Sequence, residues 1–317
     1  MLRYALRRIP SMLLTLFLAS VAIFGLTRLV PGSTVTAIAG SNATPATIQA
    51  ITRDLGLDRP LPEQYWRWLH GLLTGDLQRS AVLGQPIGQL IARGLGATVE
   101  LTVAAAVLAA LLAFVLGVLG ATSRRAFVRG AARSVMTFAL AVPPYVSGTA
   151  LIVVFGVLVP VFPVGGRVSL LQDPELGWQY LVLPALCLAL PVSAVLGRFL
   201  ADGLDQAFTE DFTRTATALG VRRGRLITVH ALPNALPPVL TVAGIQLGNL
   251  LAGSAIVEAL FAWPGVGQLL IQAITNHDYL LVQDLLLIAV TAFLVLQLLT
   301  DLGQAGLDQR TRLGGRS

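Results

Sequence analysis

Chemically capable side chains are few and far apart in this 317-residue chain. The three histidines, His70, His230 and His277, lie in separate polar segments, and Cys187 is the single cysteine. Hydrolytic chemistry would need a base beside a nucleophile or a metal, and neither an H-E-x-x-H nor a G-x-S-x-G pattern occurs. One cysteine in an apolar run forms no internal disulfide and no metal–thiolate cluster; it reads as a small packing residue, as does Ser147 before Gly148. All 22 basic residues are arginine. Without lysine there is no G-x-x-x-x-G-K-[ST] phosphate loop and no Schiff base. The expectation is a non-enzyme that binds no metal or cofactor of its own.

Two clusters remain that could do binding or mechanical work. One is the polar stretch from Asp211 to Pro233, with Arg214, Arg222, Arg223 and Arg225. The other is Glu258 followed by Phe261-Ala262-Trp263-Pro264-Gly265-Val266-Gly267. Glu258 ends a long apolar run, where it either caps a re-entrant turn or lines a pathway.

The elements that position these clusters are membrane helices. The chain is 55% hydrophobic and only 12% charged, against roughly a quarter charged in soluble domains. Runs long enough to cross a bilayer occur at Ile9–Leu29, Val99–Gly120, Val135–Val159, Tyr180–Leu200, Pro238–Leu260 and Leu281–Leu302. The first follows Arg3, Arg7 and Arg8 but is too long for a signal h-region, so it reads as an uncleaved anchor. The sixth is bounded by Asp284 and Asp301 and needs tilt or shielding. Pro143-Pro144 should kink the third run, and Pro184 and Pro191 the fourth. The fold class is an all-α polytopic membrane protein with six transmembrane helices.

Arginine asymmetry sets the orientation. Arg3, Arg7 and Arg8, then Arg124, Arg125, Arg129 and Arg133, then Arg198, Arg214, Arg222, Arg223 and Arg225, and finally Arg310, Arg312 and Arg316 all fall on one side. The Val161–Gln179 loop on the other side carries only Arg167, so both termini are expected in the cytoplasm. With the arginines dispersed among loops, the net charge of +6 fits membrane orientation rather than nucleic acid. Three regions follow: 1–30, the tail and first span; 31–97, an external segment; and 98–317, a five-helix core that includes cytoplasmic helices at 205–236. In the external segment, Thr44-Pro45 with Ile48, Ile51 and Leu55 predicts a helix ending at Gly56. Leu61-Pro62 begins another through Tyr65, Leu69, Leu72 and Leu73. Tyr65, Trp66 and Trp68 are expected at headgroup level, forming a lid on the outer membrane face, a dock for a solute-delivery protein, or both.

Within 205–236, Phe212 to Leu219 is helix-compatible and Gly220 can reverse the chain in the left-handed conformation. A second helix starts at Arg222, Arg223 and Arg225, with Leu226, Val229 and Leu232 on one side. On residues alone, such a pair could lie in a groove of a partner or rest on lipid.

This segment resembles the EAA loop of ABC importer permeases: E-A-A, three residues, G, nine residues, then I-x-L-P. The spacing is met by Arg214-Thr215-Ala216, Gly220 and His230-Ala231-Leu232-Pro233, with Arg214, Thr215 and His230 replacing the glutamate, the first alanine and the isoleucine. The R-T-A variant is typical of the dipeptide/oligopeptide branch. Tyr4, Arg7-Arg8, Pro10, Arg28 to Gly32, Leu55 to Leu61, Gln64-Tyr65, Gly75-Asp76-Leu77, and Glu258, Phe261, Pro264-Gly265 and Gly267 are similar to its B-type subunit.

The resemblance implies a type I importer-like permease of the bacterial plasma (inner) membrane, half of a heterodimeric pathway. It implies a C-type permease, one or two cytoplasmic ATPase subunits that carry ATP and Mg, an external substrate-binding protein and the lipid bilayer as partners, and di- or oligopeptides as substrate. Nickel or glutathione importers are the related alternatives; an ATPase-independent channel or carrier and a non-transporting scaffold are alternatives of another class. ATPase coupling is expected at Phe212, Arg214, Thr215, Ala216, Leu219, Gly220, Arg222, Arg223, His230, Leu232 and Pro233. A pathway or gate role is expected at Glu258, Phe261, Pro264, Gly265 and Gly267.

Overall fold

A computed structural model describes residues 2–29, 34–40 and 43–307; the expectations for Val30, Pro31, Gly32, Arg310, Arg312 and Arg316 lie outside these, as do those for the side chains of Arg3, Tyr4, Arg7 and Asp301. Every named element among the described residues is a helix. In order they are α1 (Leu2–Leu29), α2 (Thr34–Ala39), α3 (Pro45–Asp54), α4 (Leu61–Thr74), α5 (Ile87–Thr122), α6 (Ala126–Ala141), α7 (Pro144–Ile152), α8 (Pro174–Thr209), α9 (Asp211–Ala218), α10 (Arg223–Arg225), α11 (Leu232–Leu260), α12 (Val266–Thr275) and α13 (Tyr279–Leu307). Five helical stretches are long and apolar enough to cross a membrane: Arg8–Leu29, Ile87–Thr122, Pro174–Thr209, Arg223–Leu260 and Tyr279–Thr300.

The third expected span differs from its prediction. Instead of one helix over Val135–Val159, α6 and the stretch Pro144–Leu158 meet at a bend of 108°. The residue before a proline is driven out of the helical region. Two such residues occur in succession here: Val142 (φ −91°, ψ 121°) and Pro143 (φ −60°, ψ 146°) are both extended. Pro144 then restarts a helix at the one position where a missing N–H costs nothing. The bent pair supplies a sixth span if counted as one. Pro184 and Pro191, by contrast, sit inside an unbroken α8.

The chain divides into two compact units. The first comprises Val99–Trp263 and the described residues 296–307, and α8 is its axis. α6, α7 and α11 pack on α8, and the approach is close because the contact positions are small. A Cβ on Gly117 would stand 2.8 Å from the Gly197 carbonyl oxygen, one on Gly197 2.8 Å from the Met136 sulfur, and one on Gly203 3.1 Å from the Ala235 Cβ. Cys187 is buried and its thiol donates to the Pro144 carbonyl at 3.1 Å, at the break before α7.

The second unit comprises Leu2–Thr98 and Pro264–Val295. Its core joins Ile87, Ile91, Val266, Ala273, Leu281, Val282 and Leu285. The predicted helices at 44–56 and from Leu61 are α3 and α4, closed by Gly56 (φ 65°) and Gly75 (φ 79°). Trp66 is exposed, as a headgroup residue would be, whereas Trp68 is only 5% exposed. Its indole N–H donates to Asp284 Oδ1 at 2.7 Å, and Phe24 stacks on it with centroids 6.1 Å apart. Trp68 is thus a core residue, and it supplies the shielding that the sixth span needed at Asp284.

Candidate functional site

The stretch from Asp211 to Pro233 forms an elbow inside the first unit. Its first arm, α9, has Asp211 in its opening turn, where a negative charge favours the helix dipole. Its inner face is Thr213 and Ala216, both buried against the end of α8 and the chain leading into α11. The Thr213 hydroxyl donates to the Ala207 carbonyl at 2.6 Å, fixing the arm to α8. The arm ends in a Schellman motif: Val221 N–H donates to Ala216 O at 3.1 Å and Gly220 N–H to Thr217 O at 3.0 Å. Gly220 has φ 75°, and nothing stands within 4 Å of where its Cβ would be. Its glycine is required by the backbone and not by crowding.

The second arm is not the separate helix expected. Arg223–Arg225 continues through a π-helical turn, Leu226–Ala231, straight into α11. The Leu232 N–H donates to the Ile227 carbonyl, five residues back. Pro233, Pro237 and Pro238 lack the N–H groups that would draw this end of α11 into regular i→i−4 bonding. The extra residue resets the phase, so the buried stripe runs Leu226, Ala231, Ala235, Val239. Val229, expected on the same side as Leu226, is turned away from it and 53% exposed.

The expected coupling residues therefore separate by position. Phe212, Arg214, Thr215, Leu219, Gly220, Arg222 and Pro233 are exposed, His230 and Leu232 half-buried, and Ala216 buried. Leu219, at the tip of the elbow, is 78% exposed. Arg214 pairs with Asp211 at 3.6 Å, an exposed i,i+3 contact of little energetic weight. Arg223 is exposed but tethered: its Nη2 donates to the Thr122 carbonyl at 2.7 Å, at the end of α5. Arg133 does the same two residues earlier, with Nε donating to Gly120 O at 3.0 Å and Nη2 reaching Asp205 at 2.6 Å. Two guanidinium groups thus satisfy terminal carbonyls of α5, where a helix favours positive charge.

The expected gate residues fall in both units. In the first, Glu258 and Phe261 are buried at the end of α11. A second Schellman motif closes this helix: Trp263 N–H donates to Glu258 O at 2.8 Å and Ala262 N–H to Ala259 O at 3.4 Å. Ala262 holds φ 47° here, where glycine is usual. In the second unit, Gly265 is the N-cap of α12, Pro264 is exposed and Gly267 buried. The Val266 N–H donates to Thr98 Oγ1 at 2.9 Å.

A clasp that the sequence did not announce lies beside Phe261. Arg167 Nε donates to Glu100 Oε2 at 2.8 Å, Arg167 Nη2 reaches the same oxygen, and Leu170 N–H donates to Glu100 Oε1 at 2.9 Å. The Arg167 guanidinium lies over the Trp263 ring, 5.7 Å from its centroid. Gly166 N–H donates to the Phe261 carbonyl at 3.0 Å. The signal available was that Arg167 is the one arginine of its loop and Glu100 a lone acid at a span end; 67 residues separate them.

Comparison with known proteins agrees with this architecture. Residues 113–313 match the family described as binding-protein-dependent transport system inner membrane component, and residues 1–87 match its N-terminal counterpart. The glutathione transport system permease protein GsiC of Pectobacterium atrosepticum is 34% identical over 312 residues, 98% of this chain and 99% of the relative. The probable peptide ABC transporter permease protein y4tP of Sinorhizobium fredii is 33% identical over 309 residues, again 98% and 99% of the two chains. Among solved structures, an inward-facing MetNI methionine ABC transporter shares the fold, with a TM-score of 0.55 at 19% identity, over 71% of this chain and 99% of that one. The chain belongs to the inner membrane components of binding-protein-dependent transport systems: it is a multi-pass permease subunit of a bacterial ABC importer.

Proposed function

We propose that this permease carries di- or oligopeptides, glutathione-like peptides included, and takes its driving force through the elbow around Gly220. The termini and the elbow are cytoplasmic, as the arginine distribution favours. A C-type permease completes the pathway, ATPase subunits hold ATP and Mg, and an external binding protein delivers the substrate. Hydrolysis belongs to the ATPases and none to this chain. The names of the two relatives, one a glutathione and one a peptide permease, support the substrate class.

The observation that carries the coupling reading is the contrast between the two faces of the elbow. Its inner face is buried through Thr213 and Ala216, with Thr213 bonded to α8, and Arg223 tethers the second arm to the end of α5. Its outer face leaves Phe212, Leu219 and Arg222 to solvent. A short, rigid helix fixed to one body and bare on the other side suits a groove on a second protein. When the ATPases close on nucleotide, the elbow moves as a piece and the bundle switches between two packings.

The test is reconstitution of the complete transporter with its binding protein. Peptide-loaded binding protein should stimulate ATP hydrolysis, and Leu219→Glu should abolish both the stimulation and co-purification of the ATPase. Full ATPase recovery and normal peptide uptake by Leu219→Glu would rule out docking through this tip.

A further inference from the structure

The middle of α11 carries an amide where a membrane helix can least bear one. Asn249 lies midway along the apolar stretch Pro238–Leu260, and it is exposed. It belongs to a stripe of exposed positions at helical spacing: Thr241, Ile245, Asn249, Ala252, Ile256 and Ala259. The opposite face, through Leu250, Ser254 and Val257, is buried, consistent with α11 packing on α8 and α7. Gln246, itself buried, accepts a hydrogen bond from Asn249 Nδ2. That bond holds the side chain in one pose and uses one of its donors. No other hydrogen bond to the Asn249 side chain is present among the described residues, so the carbonyl oxygen Oδ1 is left as an acceptor.

A lipid-facing position would strand that oxygen in hydrocarbon, where nothing can donate to it. The exposed stripe of α5, with Val99, Val103, Val107 and Leu111, shows what a hydrocarbon-compatible face of this protein looks like: wholly apolar. The α11 stripe has no charge either, which disfavours a site for a carboxylate or ammonium group. What suits a fixed, neutral acceptor at mid-membrane is a neutral N–H donor on a hydrated solute.

We propose that Asn249, positioned by Gln246, lines the water-filled pathway and accepts a hydrogen bond from a backbone N–H of the passing peptide. The peptide part of this assignment rests on the substrate reading above, whereas the placement in the pathway does not.

Two measurements on the complete transporter in liposomes separate these parts. The first is reaction of Asn249→Cys with a membrane-impermeant thiosulfonate. The parent chain, whose Cys187 is buried, is the blank, and Val107→Cys is the lipid-side control. Asn249→Cys should react about tenfold faster or more than Val107→Cys, because the reactive thiolate is suppressed in apolar surroundings. Reaction at the Val107→Cys rate places this face against lipid or another helix and overturns the proposal.

The second is maximal uptake, at saturating binding protein, of dialanine and of its analogue methylated at the peptide nitrogen. Asn249→Ala should lower dialanine uptake about fivefold, the worth of one neutral hydrogen bond, and the methylated analogue less than about twofold. Equal losses for both compounds mean a structural role only and overturn the contact. A transporter that labels at Asn249→Cys yet moves no peptide keeps the pathway placement and overturns the peptide assignment.

Discussion

Glu100 and Arg167 form the most heavily bonded ion pair among the described residues. Their side chains are 15% and 23% exposed, and Glu100 also accepts from the Leu170 N–H while Arg167 covers the Trp263 ring. The pair ties the loop before α8 both to α5 and to the turn that ends α11, so three chain segments share one anchor. Removing one member leaves a largely buried charge without its partner. Glu100→Gln and Arg167→Gln should each lower stability by about 2–4 kcal/mol, and the double variant by clearly less than their sum. Thermal unfolding of the four proteins in detergent completes the cycle, and additive losses would show that the two groups do not interact.

Gly220 allows a graded test of the elbow. With open space around its Cβ position, any substitution is penalised only by the left-handed backbone, by about 1–2 kcal/mol for an ordinary residue. Uptake should fall in the order Gly, Asn, Ala, Val, because Asn tolerates this conformation and β-branched residues do not. Insertion and yield should be unchanged throughout. If Gly220→Val transports at the parent rate, the turn has no part in coupling.

Ala262 makes the opposite comparison. It occupies the same kind of left-handed position as Gly220 without being glycine. Ala262→Gly should therefore be neutral or raise stability by up to about 1 kcal/mol, and Ala262→Val should lower it by more than about 1 kcal/mol. Unfolding midpoints decide this; destabilisation by Ala262→Gly would mean that the methyl group packs usefully.

Trp68 and Asp284 make a second pair, 216 residues apart in sequence. Trp68→Phe keeps the ring and loses the donor, so the buried carboxylate forfeits a hydrogen bond worth about 1–3 kcal/mol. Asp284→Asn should be the milder change, since the indole keeps an oxygen acceptor. Equal stability of Trp68→Phe and the parent would remove the bond from the list of contacts that matter.

Periodicity and punctuation made much of this legible in advance. α3, α4 and the first arm of the elbow lie where their apolar spacing and closing glycines placed them, because those features act over one or two turns of chain. The break at Val142-Pro143 was half legible: two prolines foretold a disturbance, but nothing local sets a bend of 108°. Trp68 was misplaced because a tryptophan's composition signal is the same for a headgroup and for a core. The π turn before Leu232 was invisible, since it depends on how α11 packs and not on any residue type. Glu100 with Arg167, and Asn249 beside Gln246, became meaningful only when burial showed which charges and amides face what.

That π turn has one more consequence. It stores a single surplus residue between Arg225 and Leu232, with helix on either side. Deleting one residue there would iron out the swelling and turn Arg223–Arg225 by about 100° around the axis relative to α11, against the Arg223–Thr122 tether that holds this arm to the end of α5. How the short second arm meets the bundle is therefore written in one residue's length of chain.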